Sequence, residues 1–533
     1  MEAKAQEIGI KSHPKKHSTF IGYGTAGFRT KADLLDHVMF RMGLLASLRS
    51  KSKNGETIGV MITASHNLEI DNGVKLVDPD GAMLEQNWEG LATKLANAND
   101  SDIEEVLKSI IKEQGIDISV KSNVFVGYDT RTSSISLSKA VLDGIECDKL
   151  SKCTDFGVVT TPQLHFFVVC KNTKGAYGNH SEEGYYKKLS NAFVKLDNES
   201  TSSSKYSRSV SIDGANGVGA HKIKLLKNFL PSSHLDMTLY NDGTQGKLNL
   251  GCGADFVKVN QKAPSGMESI VGDRCVSIDG DADRVVYFYA DEGNKFYLLD
   301  GDRIATLIAS YLKDLLAESG LQFRLGIVQT AYANGNSTDY IKNKLKLDVA
   351  CASTGVKNLH HLAKNYDIGV YFEANGHGTI IFSPECLSQI PQDSQLKNLV
   401  DLINQTVGDA ISDMLLVETI LRVKGWSAGD WYKSYEDLPN RQLKVKVANR
   451  EVIQTADAER QCVSPPGLQD KINEVVLKFP KGRSFVRPSG TEDVVRVYAE
   501  SDTQDNADQL AYEVGLLVHQ NAGGVGEPTP KPQ

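Results

Sequence analysis

One pattern recurs along this chain and constrains its fold more than any other. A short apolar run breaks abruptly into a burst of small and polar residues. Residues 58–62 break into Thr63-Ala64-Ser65-His66-Asn67. Residues 275–278 break into Asp279-Gly280-Asp281-Ala282-Asp283-Arg284, and residues 369–372 into Glu373-Ala374-Asn375-Gly376-His377-Gly378-Thr379. Runs this short read as buried strands. Their alternation with helices indicates parallel α/β units, whose polar groups gather at the carboxyl edge of the sheet. At 533 residues the chain exceeds one core, and size priors give roughly three to five domains.

Composition narrows the function classes. A hydrophobic share of 40% and a charged share of 24% belong to a soluble globular protein. The net charge of −8 argues against a general nucleic-acid binder, while leaving room for local basic phosphate pockets. No apolar run is long enough to cross a membrane, and residues 1–16 lack the apolar core of a secretion signal. The eight cysteines include no CxxC pair and read as reduced thiols of a cytoplasmic protein. Cys252 and Cys275 have no Cys/His cluster to make them metal ligands.

Along the chain, the pattern predicts a helix over 32–48 with Leu34, Leu35, Val38, Met42 and Leu45 on one face. A hairpin-like unit surrounds residues 71–77. Residues 89–118 read as helical, 124–128 as a strand, and 156–159 as a strand ending at Thr160-Thr161-Pro162. The stretch 175–208 is polar, and its serine run 200–204 reads as a connecting segment or surface loop. Strands are expected at 210–212, 285–290, 325–329 and 349–351, with a strong helix over 303–316. Helical pattern resumes over 396–423, and 426–435 reads as a linker or boundary helix. A smaller α+β region starts near residue 443 and closes with a helix over 505–519. The Gly- and Pro-rich residues 523–533 are expected to form a disordered tail.

The polar bursts carry chemistry. Asp279, Asp281 and Asp283 repel one another in a tight loop unless a cation neutralises them, and an all-oxygen donor set suits a hard ion, most simply Mg²⁺. An EF-hand would need a bidentate glutamate at the twelfth position, where this chain has Ala290. Arg487-Pro488-Ser489-Gly490-Thr491 reads as a phosphate cradle or a charged surface turn, with Arg496 as a second cation on the next strand. Glu373 and Asn375 suit sugar hydroxyls, and His377 either binds or fills the turn. Gly22 to Arg29 reads as a structural turn whose arginine could reach an anion. Lys75 is either a surface lysine or an acid/base group with a lowered pKa. Combined, a serine at a metal-ready mouth, a sugar-type loop and a phosphate loop describe phosphoryl transfer on a phosphosugar, with Ser65 as covalent carrier.

The order of these four loops resembles the α-D-phosphohexomutase superfamily, and within it the acetylglucosamine branch of eukaryotes. The resemblance covers nearly the whole chain. It implies an α/β protein of four-domain phosphohexomutase-like architecture. Three related α/β domains with mixed sheets and a smaller C-terminal α+β domain would surround a central cleft, at 1–190, 191–298, 299–436 and 437–533. It further implies phospho-Ser65, with Ser65, Asp279, Asp281 and Asp283 holding one Mg²⁺ per chain, and a hexose 1,6-bisphosphate as activator. The activity implied is interconversion of N-acetylglucosamine 6-phosphate and N-acetylglucosamine 1-phosphate, for nucleotide-sugar biosynthesis. Arg29, Thr354, Gly355, Glu373, Ala374, Asn375, Arg487, Pro488, Ser489, Gly490, Thr491 and Arg496 would bind substrate. Lys75 would be the general base, with His66 as its competitor, and Arg29 and Arg284 supporting cations. Small Ala374 and Gly376 would leave room for an N-acetyl group. The partner implied is a phosphosugar, with no nucleic acid or membrane; a monomer is expected and a dimer left open. A phosphoglucomutase or phosphomannomutase, a metal-dependent sugar phosphatase and a non-catalytic sensor are the competing readings.

Overall fold

The computed structural model describes residues 1–198, 205–490, 493–528 and 530–532. The chain forms two compact units. Residues 1–300, 375–380 and 388–429 make the first, and 301–374, 381–387 and 430–533 the second.

The first unit holds two five-stranded sheets built on one plan. Strands β1 (Phe28–Lys31), β2 (Thr57–Ile62), β3 (Asp71–Val77), β4 (Ser122–Tyr128) and β5 (Ser151–Val158) lie in the order β1-β3-β2-β4-β5. Pairing is antiparallel from β1 through β3 to β2, then parallel through β4 to β5. Strands β6 (Ser209–Asp213), β7 (Asp236–Tyr240), β8 (Cys275–Ile278), β9 (Val285–Ala290) and β10 (Phe296–Leu299) repeat this as β10-β9-β8-β6-β7. There β10-β9-β8 pair antiparallel and β8-β6-β7 parallel. The sheets are therefore mixed. The parallel pairs need helical crossovers, whereas the antiparallel edges need only a turn. Every residue of β2 is buried, so its carboxyl end delivers the Ser65 loop from the middle of a sheet.

Several expectations need correction here. The helix Asp36–Ser52 is buried without a break from His37 to Lys51, so it is covered all round, with no solvent-facing stripe. Residues 89–118 form two helices, Gln86–Asn97 and Ile103–Glu113, separated by a tight turn at Asp100–Asp102. The stretch 175–208 contains the helix Glu182–Asn198, which buries Tyr185, Tyr186, Leu189, Phe193 and Leu196. These are few enough to be hidden among its polar residues. The serine run 200–204 lies outside the described residues.

In the second unit, β11 (Leu325–Thr330) runs parallel between β12 (Asp348–Ala352) and β13 (Ile368–Phe372), beside the helix Gly301–Ser319. Strand β14 (Gly378–Phe382) follows in the chain. Strands β15 (Asn440–Lys446), β18 (Arg483–Pro488) and β19 (Val494–Glu500) form an antiparallel sheet, and β16 (Gln454–Ala456) with β17 (Gln461–Ser464) a hairpin. Helices Leu468–Val476 and Gln504–Asn521 cover one face through Val445, Val486, Val495 and Val497. On the other, Phe485 and Tyr498 meet Ala331 and Tyr332. Arg483 fixes this docking by donating to the carbonyls of Ala331 (2.8 Å) and Ala333 (2.6 Å) and pairing with Glu500 (2.8 Å). The start of the expected tail is structured: Gly524 bridges Val447, and the amides of Ala448 and Val525 bond Gly523 and Lys446 carbonyls.

The N-terminal helix Glu2–Ser12 is held by His13. Its ring nitrogens lie 3.0 Å from Asp36 and 3.2 Å from Asp143, and it stacks on Phe40. Burial works to lower the His13 pKa, yet the two carboxylates outweigh it and the pKa is raised. A raised folded-state pKa gives stability that is complete below the unfolded value and is lost as pH rises through the folded one. The parent should therefore be more stable than His13→Gln by about 1 kcal/mol near pH 6, and the gap should close in alkaline solution. Thermal melts of both proteins across that range check this; a gap independent of pH would show that the pair carries no charge.

Candidate active site

Ser65 sits just past β2 in a left-handed backbone conformation, φ 50°, and is almost fully buried. Its amide donates to Thr63 Oγ1 (2.9 Å), and that hydroxyl donates to Asp129 Oδ2 (2.7 Å) at the end of β4. Arg131 donates to the carbonyls of Ser65 (3.2 Å) and Asn67 (2.6 Å). Asn249 donates to the same two carbonyls at 2.8 Å each. A strained turn is thus clamped on both sides, as a reactive serine needs. Gly280 allows this approach, because a Cβ there would lie 2.5 Å from the Ser65 carbonyl oxygen.

The Ser65 hydroxyl donates to Asp279 Oδ2 at 2.6 Å. Its one proton being committed there, the 3.5 Å contact with His66 Nδ1 has the ring N–H donating to Oγ. Asp279, Asp281 and Asp283 are all buried, and their ligand atoms lie within 4.8 Å of one another. Asp279 Oδ1 accepts the amides of Asp283 (3.0 Å) and Arg284 (3.2 Å). Asp281 Oδ2 accepts Thr161 Oγ1 at 2.6 Å. Thr161 opens the helix Thr161–Asn172, capped by the reciprocal Thr160–Gln163 bonds, so a helix N-terminus faces the carboxylate. Lys75 Nζ stands 3.2 Å from both Asp281 and Asp283. Asp281 Oδ1 and Asp283 Oδ1 are buried without a hydrogen-bond partner. Orphaned carboxylate oxygens in an all-oxygen cluster fit a hard divalent cation.

Electrostatics separate the groups. Burial, with Asp283 and Asp281 alongside, pushes the Asp279 carboxyl well up. Asp283 is held down: burial opposes this, but His377, Lys75 and Arg284 outweigh it. Burial would lower Lys75, yet the Asp281 and Asp283 carboxylates raise it. The expected lowered pKa is therefore not met. Lys75 stands between two carboxylates, which favour its charged form. Burial and the charges of Arg284, Arg29 and Arg131 depress His66 strongly, leaving a neutral imidazole. Arg29 also faces this side, donating to Asn67 Oδ1 at 3.3 Å.

Asn375, Gly376 and His377 belong to this unit. Asn375 Oδ1 accepts the His377 amide at 3.0 Å, and His377 Nδ1 lies 4.0 Å from Asp283. Gly376 corrects the sequence reading. It has φ 88°, and a Cβ would fall 1.9 Å from the Val285 carbonyl oxygen. Its smallness lets the loop pack on the start of β9, where Val285 N donates to Gly376 O; it opens no room for a substituent.

The remaining expected residues lie in the second unit. The Gly355 amide donates to Glu373 Oε1 at 3.0 Å, and Ala374 O accepts the Gly301 amide at 3.4 Å. Ser489 is buried and its amide donates to Val494 O at 2.9 Å, while the Cα of Gly490 faces open space. Pro488 ends β18 opposite Val495. Thr491 lies outside the described residues. Register adds a residue that sequence reading missed. Arg487 pairs with Arg496, and Arg496 with Lys444 on its other side. Directly opposed residues share a face, so three cations form one row across β18, β19 and β15. Like charges so placed repel, and the row suits an anion. Thr161, Asn249 and Arg131 were also missed. Only the Thr160-Thr161-Pro162-Gln163 cap signal could have flagged the first.

Comparison with known proteins decides the family. The chain is 56% identical to the phosphoacetylglucosamine mutase of Sus scrofa and 55% to that of Homo sapiens, covering 97% of both chains in each case. The chain belongs to the phosphoacetylglucosamine mutase family. Family models for phosphoacetylglucosamine mutase domains II and III match residues 178–286 and 300–426. Those for the α/β/α domain I and the C-terminal domain of phosphoglucomutase/phosphomannomutase match 46–103 with 90–185, and 443–515. An N-acetylglucosamine-phosphate mutase crystallised in a substrate complex superposes with a TM-score of 0.93 at 46% identity, covering 97% of this chain and 100% of that one. The Aspergillus fumigatus enzyme in complex with GlcNAc-6P and magnesium gives 0.93 at 48%, covering 98% and 99%. The architecture is thus the four-domain α/β fold of the phosphohexomutases, and the protein is an enzyme, an intramolecular phosphotransferase. Among the described residues, no helix is long and apolar enough to cross a membrane.

Gly376→Ala tests the packing correction. Combined strain and overlap should cost about 3 kcal/mol, seen as a lower thermal transition. A variant as stable as the parent would show that the loop has space after all.

Proposed function

We propose that this member of the family interconverts N-acetylglucosamine 6-phosphate and N-acetylglucosamine 1-phosphate through phospho-Ser65 and a 1,6-bisphosphate. The observation that carries it is the Ser65 hydroxyl held 2.6 Å from Asp279 in a buried three-carboxylate loop. Asp279, Asp281, Asp283 and the Ser65 oxygen would hold one Mg²⁺, which supplies charge neutralisation for phosphoryl transfer. The relative crystallised with GlcNAc-6P and magnesium supports this, as does a serine-to-alanine variant of the same fungal enzyme bound to glucose 1,6-bisphosphate.

In the forward half-reaction the P–Oγ bond of phospho-Ser65 breaks and a bond from phosphorus to a sugar hydroxyl oxygen forms. The hydroxyl proton leaves the sugar, and Ser65 Oγ ends protonated. His66, neutral and aimed at Oγ, is the group placed to carry hydrogen bonding through this exchange. Lys75 keeps the carboxylates from repelling the incoming phosphate. The second half-reaction returns the other phosphate to Ser65. Glu373, Asn375, Thr354 and Gly355 would bind the sugar. Arg487, Pro488, Ser489, Gly490, Thr491 and Arg496 would hold phosphate, and Arg29 would be a supporting cation for substrate. With domains at 1–190, 191–298, 299–436 and 437–533 each of the four loops would fall in its own domain, although the first boundary cuts the helix Glu182–Asn198. A cytoplasmic enzyme that meets neither nucleic acid nor membrane follows from the composition and the small substrate.

Phosphorus NMR of the protein with Mg²⁺, a trace of sugar bisphosphate and N-acetylglucosamine 6-phosphate should show the 1-phosphate appearing without free phosphate. Free phosphate would mean a phosphatase. Ser65→Ala should fold and lose turnover by a factor of about 10⁴ or more; retained turnover would remove the serine carrier. Arg487→Ala should raise KM for the phosphosugar about tenfold or more, and an unchanged KM would count against the phosphate row.

A further inference from the structure

The second unit contains a carboxylate that the reading so far leaves without a role. Glu459 stands at the tip of the β16–β17 hairpin, where Asp457, Ala458 and Glu459 all have left-handed backbone angles of φ 51°, 53° and 69°. Three successive non-glycine residues rarely adopt this conformation. The turn sets the Glu459 carboxylate against two loops. Oε1 lies 3.3 Å from Arg487 Nε. Oε2 accepts the Thr354 amide at 3.0 Å and also the Thr354 hydroxyl. Glu459 and Arg487 are each only 15% exposed at the side chain.

We propose that Glu459 is a positioning residue of the phosphate and sugar loops, one that orients Arg487 for phosphate while anchoring Thr354. The inference rests on the assignment of Arg487 to substrate phosphate. A guanidinium carries one N–H at Nε and four on its terminal nitrogens. Arg487 Nε is buried without a hydrogen-bond partner, so the contact is an ion pair: a carboxylate held on the Nε side draws the guanidinium to that edge by charge, and the terminal nitrogens suit a bidentate anion. The Arg487 guanidinium also lies 5.9 Å from the Tyr332 ring centroid, so its plane is bounded by a ring as well as an anion. The second carboxylate oxygen reaches Thr354, whose neighbour Gly355 bonds Glu373. One side chain thus joins the cation that would read phosphate to the loop that would read the sugar. Its effect falls on substrate affinity and leaves phosphoryl transfer from Ser65 untouched.

Glu459→Gln keeps the shape and removes the charge. Titration calorimetry with N-acetylglucosamine 6-phosphate should show Kd rising about tenfold, with kcat at saturation changed by less than about twofold. Glu459→Asp, still charged but one methylene shorter, should recover part of the affinity and provides a second variant should the glutamine protein melt early. In an Arg487→Ala background, Glu459→Gln should cost clearly less than in the parent, because only the Thr354 anchor is then left to lose. Unchanged or tighter binding in Glu459→Gln overturns the inference. So does an equal loss with and without Arg487, which would mark a purely structural contact. If Arg487→Ala itself binds substrate as the parent does, the phosphate assignment fails instead, whatever Glu459 does.

Discussion

Buried negative charge is the constraint on which the first unit depends. Asp279, Asp281 and Asp283 lie within a few residues of one another, fully enclosed, and such a cluster is unstable unless neutralised. The compensation arrives from separate elements: Lys75 from β3, Thr161 from a helix N-terminus, and Arg284 and His377 from flanking turns. Meeting that requirement draws these segments together. The Ser65 hydroxyl joins the same network through Asp279. The electrostatics that hold the loops in place are therefore the electrostatics that would receive a phosphoryl dianion, and two carboxylate oxygens remain available to a cation.

The nucleophile's conformation follows from this network. A non-glycine residue at φ 50° pays in backbone energy unless its surroundings enforce it. Thr63, Arg131 and Asn249 supply that enforcement from three directions, two of them through carbonyls rather than side chains. Clamping the backbone holds the turn while the hydroxyl points to Asp279, which is how a serine can be both rigid and reactive.

What the sequence disclosed and what it hid divide along one physical line. Short motifs were legible because their groups are covalent neighbours: the serine turn, the aspartate triad and Arg487 to Gly490 all stand where strands end. The clamps were not. Arg131, Thr161 and Asn249 reach their partners across 66, 120 and 184 residues, and only the sheet order brings them there. Lys75 was misread for the same reason. It is ten positions from Ser65, yet it pairs with Met61 in β2 and sends its ammonium to Asp281 and Asp283, which raise its pKa. Gly376 looked like space and is packing. The helix Glu182–Asn198 gave no clear signal in a polar stretch because its apolar residues are few, although they suffice to bury one side.

The cation row shows how register creates a property absent from any one segment. Arg487, Arg496 and Lys444 are unremarkable singly, but ladder pairing stacks them on the face away from the helices. Glu459 offsets part of that charge at Arg487, and the remaining positive potential of the row favours an anion. Charge attraction of this kind reads a phosphate group without reading the stereochemistry of the carbon that bears it. A mutase must accept its intermediate by either end, and a site that recognises phosphate alone meets that demand. Discrimination among sugars would then fall to directional hydrogen bonds from the loop that carries Glu373 and Thr354. Glu459 would matter in this division of labour because it joins Arg487 to the Thr354 loop.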